Sequence, residues 1–259
     1  MTADNAGASA QLRPLSFGEI LDGGFALYRR HFGTLASTAL VAHAPVLVLW
    51  LGYALVGEAN PLVVLVARVL SGAAAIVSFG ALTWQASAAY LGQPVDLRDG
   101  LSHAWARFRP VWASLFLQGF AVALGLLLLV VPGLIAFTVF FAMIPAVVLE
   151  GLDSTQAQAR SKELARGAWM NVFGVMATLT IITWMPVIAA NFGLGLVTRL
   201  ADGSSPAATA AMELAGTLIR ALTLPFLCLG TVILYYDRRV RSEALDLAAV
   251  PEPLLAAGA

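Results

Sequence analysis

The sequence predicts an all-α fold, a polytopic membrane helix bundle with six transmembrane helices plus cytoplasmic amphipathic interfacial helices, and three observations predict it. Of 259 residues, 59% are hydrophobic and only 12% charged, too little polar surface to clothe a water-soluble domain. Six apolar segments, 34–56, 64–90, 111–131, 133–149, 172–196 and 213–236, approach or exceed the roughly 20 residues that a helix needs to cross a hydrocarbon layer about 30 Å thick. Basic residues collect in alternate loops, as the positive-inside rule requires.

Taken in order, residues 1–12 and 248–259 are rich in Ala, Gly and Pro and read as disordered tails around a membrane domain at 13–247. No cleavable signal peptide is expected, because polar and acidic positions recur throughout the residues before Thr34. Ser16-Phe17-Gly18-Glu19 reads as a capping box stapled by Leu15 and Ile20. Phe17, Ile20, Leu21, Gly24 and Tyr28 follow at helical spacing and open a first interfacial helix that runs into span one. Asp96 caps a second, with Leu97, Leu101, Ala104, Trp105 and Phe108 on one face. Val131-Pro132-Gly133 reads as a tight turn between spans three and four.

Asp153 caps a third interfacial helix. At about 100° per residue, its Ala157, Ser161, Leu164, Ala165 and Ala168 fill one arc, while Gln156, Gln158, Arg160, Lys162, Glu163 and Arg166 fill the other. Such a helix lies along the interface or packs on the ends of the spans, with its cations toward water and anionic headgroups. Each unit thus reads as interfacial helix, outward span, return span. True repetition and convergent membrane design both produce this pattern.

Arg13, Arg29 and Arg30 precede span one, Arg98, Arg107 and Arg109 follow span two, Arg160, Lys162 and Arg166 follow span four, and Arg238, Arg239 and Arg241 follow span six. The opposite loops carry only Arg199, so both termini are assigned to the cytoplasm. Zero net charge offers no nucleic-acid partner. A lone cysteine, Cys228, excludes an intrachain disulfide and a cysteine-based zinc cluster. Fourteen of the fifteen basic residues are Arg, a usage that points to GC-rich coding and a bacterial inner membrane.

Four stretches, "LSFGEILDGGFALYRRHF", "VPGLIAFTVFFAMIPAVVLEG", "ARSKELARGAWMNVFG" and "LYYDRRVRSEALDL", resemble the membrane domain of the glycerophosphoryl diester phosphodiesterase family, multi-helix bacterial membrane proteins with many stand-alone members of unknown function. The resemblance runs in order over about residues 13–247, and Tyr235-Tyr236-Asp237 to Arg241 is its most distinctive part. In fused relatives it implies a catalytic barrel with acidic metal ligands and a His pair. Nothing in this chain corresponds to that barrel, since His31, His43 and His103 lie far apart with no acidic cluster near any of them. The resemblance therefore implies an architecture, and no catalytic, cofactor-binding or metal-binding residue.

Arg68 and Arg220 lie inside predicted spans, where an unpaired guanidinium costs about 2.5 to 3.5 kcal/mol on insertion scales. One reading has each snorkel outward, or Arg220 pair with Glu213; the other has both converge on an anionic group such as a lipid phosphate. Pro45, Pro145, Pro186 and Pro225 permit kinks. His43 is expected to bond a nearby backbone carbonyl, and Gln85, Gln118 and Asn191 to join helices. Tyr235 and Tyr236 with the following arginines read as an interfacial anchor. The candidate cytoplasmic contacts are Arg160, Lys162, Arg166, Arg238, Arg239 and Arg241.

The reading favoured is a non-catalytic membrane module that binds lipid or a partner protein, with no cofactor. A transporter or channel component would require polar side chains converging at mid-membrane. A membrane enzyme acting on phospholipid-derived phosphodiesters would require a paired acid and base at one depth.

Overall fold

The computed structural model describes residues 14–56, 60–200 and 205–243, with the side chains of 199 and 200 left aside; Arg13 and both tails assigned above lie outside them. Within the described residues the chain is all α-helical: α1 (Phe17–Val56), α2 (Pro61–Tyr90), α3 (Leu97–Ala106), α4 (Phe108–Leu128), α5 (Val130–Val139), α6 (Met143–Leu149), α7 (Ser154–Ala165), α8 (Trp169–Leu200) and α9 (Pro206–Glu243). Six stretches are long and apolar enough to cross a membrane, with α5 and α6 together forming the fourth. The chain is a multi-pass membrane protein. Its lateral surface fits that solvent, because Leu55, Leu127 and Phe192 are each at least 74% exposed, a waste in water but not in lipid.

Helix α9 is the axis of the bundle: 72% of its apolar window is buried, against 17–56% for the other spans. Glycines let its neighbours close in. Gly24 of α1 faces Phe226 and Gly230 of α9, and Gly230 in turn accommodates Leu179 of α8. The two ends of the described chain meet at one face of the bundle, where the Leu15 amide donates to Asp237 Oδ1 at 2.7 Å and Arg241 donates to the Leu15 carbonyl at 2.7 Å. This is called the terminal face below.

The three capped helices are present, with differences of detail. Ser16 and Glu19 exchange backbone-to-side-chain hydrogen bonds. Asp96 accepts from the amides of Arg98 and Asp99. The first unit is continuous with its span except at His31 (φ −112°, ψ 17°), and α3 breaks from α4 at Arg107 in nearly the same conformation (φ −105°, ψ 13°). On α3 the residues turned inward are Gly100 and Ala104, while Trp105 is 73% exposed. Leu97, Leu101 and Trp105 do share one face of α3, along a surface groove, but the closest packing is at Gly100, where any Cβ would stand 2.9 Å from the Gln85 side chain. Gln85 does join helices, donating to Thr38 Oγ1 and to the Asp96 carbonyl, both at 2.8 Å. Asn191 instead donates within its own helix, to Val187.

Val131-Pro132-Gly133 is not the turn. The chain reverses at Leu129, extended at φ −161° and ψ 143°, and Pro132 sits in the first turn of α5, where its missing N–H costs no hydrogen bond. Gly133 serves close packing instead, since a Cβ on Gly125 would lie 2.6 Å from its nitrogen. Span six also begins at Pro206, about two turns before the expected 213.

Span four carries the largest departure from the sequence reading, a break at Phe140–Ala142 between α5 and α6. Backbone groups freed at membrane depth survive only where protein satisfies them. Here Ser161 of α7 does so: its hydroxyl donates to the Val139 carbonyl at 2.7 Å and accepts from the Ala142 amide at 2.9 Å. Helix α7 is therefore docked into the bundle, with Ala157, Ser161, Leu164 and Ala165 buried, the arc that its angular spacing predicts. Its N-terminus carries a full capping box between Asp153 and Gln156.

Asp153 is fully exposed, and its carboxyl is held below its ordinary pKa chiefly by the Gln156 amide and the Thr155 hydroxyl. A depressed folded-state pKa contributes stability above the unfolded value and loses it as pH falls through the folded one. Acidification below about pH 4 is thus expected to lower the amide protection factors in the first turn of α7, taken against the intrinsic exchange rate at each pH. In Asp153→Asn, which keeps the acceptor without the charge, that acid response should vanish.

Candidate functional site

Arg68 from α2 and Arg220 from α9 line one cavity of about 300 Å³, together with His43, Ser71, Thr183, Trp184 and Thr223. Arg68 stands seven residues into α2, about 10 Å from that helix end at 1.5 Å per residue. The cavity therefore belongs to the half of the bundle away from the terminal face. Both arginines are carried by helices that pack on the same core, α2 through its small residues Ala67 and Ala74 and α9 as the bundle axis.

The pairing of Arg220 with Glu213 is corrected. Glu213 binds Arg68 across the helix interface at 2.5 Å, because a partner two turns away on the same helix is about 10 Å distant along the axis, whereas Arg68 lies level with it. Arg220 keeps a single hydrogen bond among the described residues, from Nη2 to Thr217 Oγ1 at 3.3 Å. Two guanidinium charges against one carboxylate leave the site with one positive charge in excess.

The hydroxyls around the cavity behave differently from one another. Ser71 donates to the Ala67 carbonyl and Thr223 to that of Ile219, the usual return to the preceding helical turn. Thr183 is only 3% exposed and its Oγ1 has no partner, a state that costs about 1 to 3 kcal/mol for a buried hydroxyl. His43 Nδ1 lies 2.9 Å from the Ala39 carbonyl and 3.3 Å from Ser78 Oγ. A tetrahedral anion in this cavity would meet guanidinium donors from two helices and a free hydroxyl. Thr183 escaped sequence reading because a threonine in an apolar span ordinarily satisfies itself; only tertiary placement reveals the exception.

At the terminal face, the six basic residues assigned to headgroup contact divide. Three, Arg160, Arg238 and Arg239, are turned inward and are corrected, while Arg241 is exposed but committed to a buried carboxylate. Arg160 holds Glu150 through Nε and Nη2 at 3.0–3.1 Å and pairs with Glu243. Arg239 pairs with Glu243 at 3.2 Å and approaches Glu150 at 3.6 Å. Arg238 donates to the Leu164 carbonyl at 2.9 Å, capping the end of α7 where carbonyls lack partners. Arg241 holds Asp237 at 3.0 Å. The physical reason is common to all four: buried carboxylates and orphan carbonyls demand donors, and angular position on a helix does not reveal them. Partial burial alone would lower the Arg160 pKa, yet the hydrogen bond and charge of Glu150, then of Glu243, raise it overall, so it is cationic at every accessible pH.

Tyr235 and Tyr236 are likewise buried rather than interfacial, bonded to Glu150 and to Ser87 Oγ. Lys162 and Arg166 remain exposed, beside Trp169 on a cavity of about 450 Å³. Among the described residues no three His, Cys, Asp or Glu side chains gather as metal ligands would. His103 stacks on Trp84 at 3.6 Å, remote in role from any acid. Searches against protein-family models, curated proteins and solved structures return no match to this chain.

Proposed function

We propose that this protein is a non-catalytic membrane module that binds an anionic lipid, holding its phosphate between Arg68, Arg220 and Thr183. The observation that carries this reading is the presence, on one cavity within the spans, of two arginines from different helices and a buried hydroxyl without a partner. By the positive-inside rule the terminal face is cytoplasmic and the site belongs to the outer half of a bacterial cell membrane. Lys162, Arg166 and Trp169 then meet inner-leaflet headgroups, and the face they share is where a protein partner would dock. The resemblance to the glycerophosphoryl diester phosphodiesterase membrane domain supports the same picture, a lipid-facing architecture separated from catalysis.

Lipid extraction from protein purified out of bacterial membranes tests the proposal. Arg220→Leu should lose most of the anionic phospholipid that accompanies the unaltered chain, at unchanged thermal stability. Equal lipid content in the two would refute it. The broken fourth span favours a second reading, a lipid transport component, since discontinuous helices accompany transport sites. Movement of a labelled anionic lipid between leaflets of reconstituted vesicles, abolished in Arg220→Leu, would select it.

A further inference from the structure

Phe79 of α2 and Trp184 of α8 stand in the wall of the arginine cavity and also in the wall of a second cavity, of about 400 Å³. The second is apolar, reaching Leu115, Gly119 and Leu126 of α4, Pro145 of α6 and Cys228 of α9. It opens on the lateral surface of the bundle, where Gly119 and Leu126 of its wall are exposed. The cavity has room for on the order of a dozen water-sized or methylene-sized groups at about 30 Å³ each. Gly119 contributes to the space, as a Cβ placed on it meets nothing within 4 Å.

We propose that the two cavities are one amphipathic site, and that its ligand is a phosphate-bearing amphiphile whose acyl chain passes between Phe79 and Trp184 into the apolar cavity. The proposal rests on the reading of Arg68 and Arg220 as a phosphate site and adds the class of molecule and its path. Charge complementarity places the head: one excess positive charge and the unpartnered Thr183 hydroxyl lie on the first cavity only. Adjacency places the tail, since the two aromatic side chains are the partition shared by both cavities, and the proposed path runs between them. Lipid tails are as apolar as the cavity lining, so a chain gains no hydrophobic free energy by leaving the bilayer for it. Affinity therefore comes from the phosphate, and the apolar cavity selects by shape and length.

Binding of three probes by purified protein in detergent, followed by native mass spectrometry, separates the parts of the claim: palmitoyl lysophosphatidic acid, hexanoyl lysophosphatidic acid and glycerol phosphate. In Gly119→Phe, which fills the apolar cavity, palmitoyl binding should weaken by about tenfold or more, equivalent to about 1.4 kcal/mol, while hexanoyl binding stays as in the unaltered chain. In Arg220→Leu both lipids should be lost. If Gly119→Phe leaves palmitoyl binding intact while Arg220→Leu abolishes it, the chain path is wrong and the phosphate site stands. If Arg220→Leu leaves both intact, the phosphate site itself is wrong. Glycerol phosphate displacing the palmitoyl lipid at equal concentration would make the ligand a soluble anion and overturn the proposal.

Cys228, the one cysteine of the chain, supplies a readout without a packing change. Palmitoyl lysophosphatidic acid should slow its modification by methyl methanethiosulfonate, and the hexanoyl form should not. Equal rates with both lipids would place the chain elsewhere.

Discussion

Glu150→Ala is expected to destabilise the protein by about 3 kcal/mol, the low end for breaking a buried ion pair, and to loosen the whole terminal face. Glu150 ends α6 and is the acceptor shared by Arg160, Arg239 and the Tyr235 hydroxyl. Its side chain is 17% exposed, and those of Arg160 and Arg239 are 17% and 12%. Removing the carboxylate leaves two cations sharing Glu243, with only the exposed Glu163 of α7 as a further partner for Arg160, and a buried phenol with no acceptor. Thermal unfolding in mild detergent checks the loss. Glu150→Gln, which keeps acceptor oxygen without charge, should fall between the two proteins, and an unaltered melting temperature in Glu150→Ala would show that the network is decorative.

Ser161→Ala should cost about as much through neutral groups alone. One hydroxyl satisfies both the Val139 carbonyl and the Ala142 amide, and each orphaned buried group costs about 1 to 3 kcal/mol. The substitution leaves α7 its helix propensity, since alanine is the better helix former. The damage is thus expected across the chain, in the break of span four. Amide exchange at Ala142 should accelerate by orders of magnitude while the capping box at Asp153 keeps its protection. Unchanged exchange there would mean that the break closes on itself without α7.

These two residues also mark what the sequence made legible. Angular spacing placed Ser161 on the buried arc of α7, and apolar length located every span, because both are local properties of a helix in its solvent. The break at Phe140–Ala142 does carry a local mark in Pro145, the third residue of α6, whose ring and missing N–H oppose a continuous helix back to Phe141; what the sequence hides is the satisfying hydroxyl, which comes from about twenty positions onward. Arg160 sits on the polar arc as its spacing requires, but the carboxylates that turn it inward belong to α6 and α9. Pairings between distant elements are set by tertiary packing, which periodicity does not encode. The candidate site divides the same way. The cost of an intramembrane guanidinium singled out Arg68 and Arg220, whereas Thr183, Phe79 and Trp184 became visible only once the helices were side by side.

On the proposed function, Arg68, Arg220 and Thr183 hold the phosphate of a lipid. Native mass spectrometry of the chain released directly from bilayer nanodiscs containing phosphatidylglycerol tests it most directly. The unaltered protein is predicted to retain one phosphatidylglycerol after collisional removal of the surrounding lipid, and the Arg68→Leu, Arg220→Leu double variant none. Retention of the same lipid, at the same collision energy, by both proteins would contradict the account.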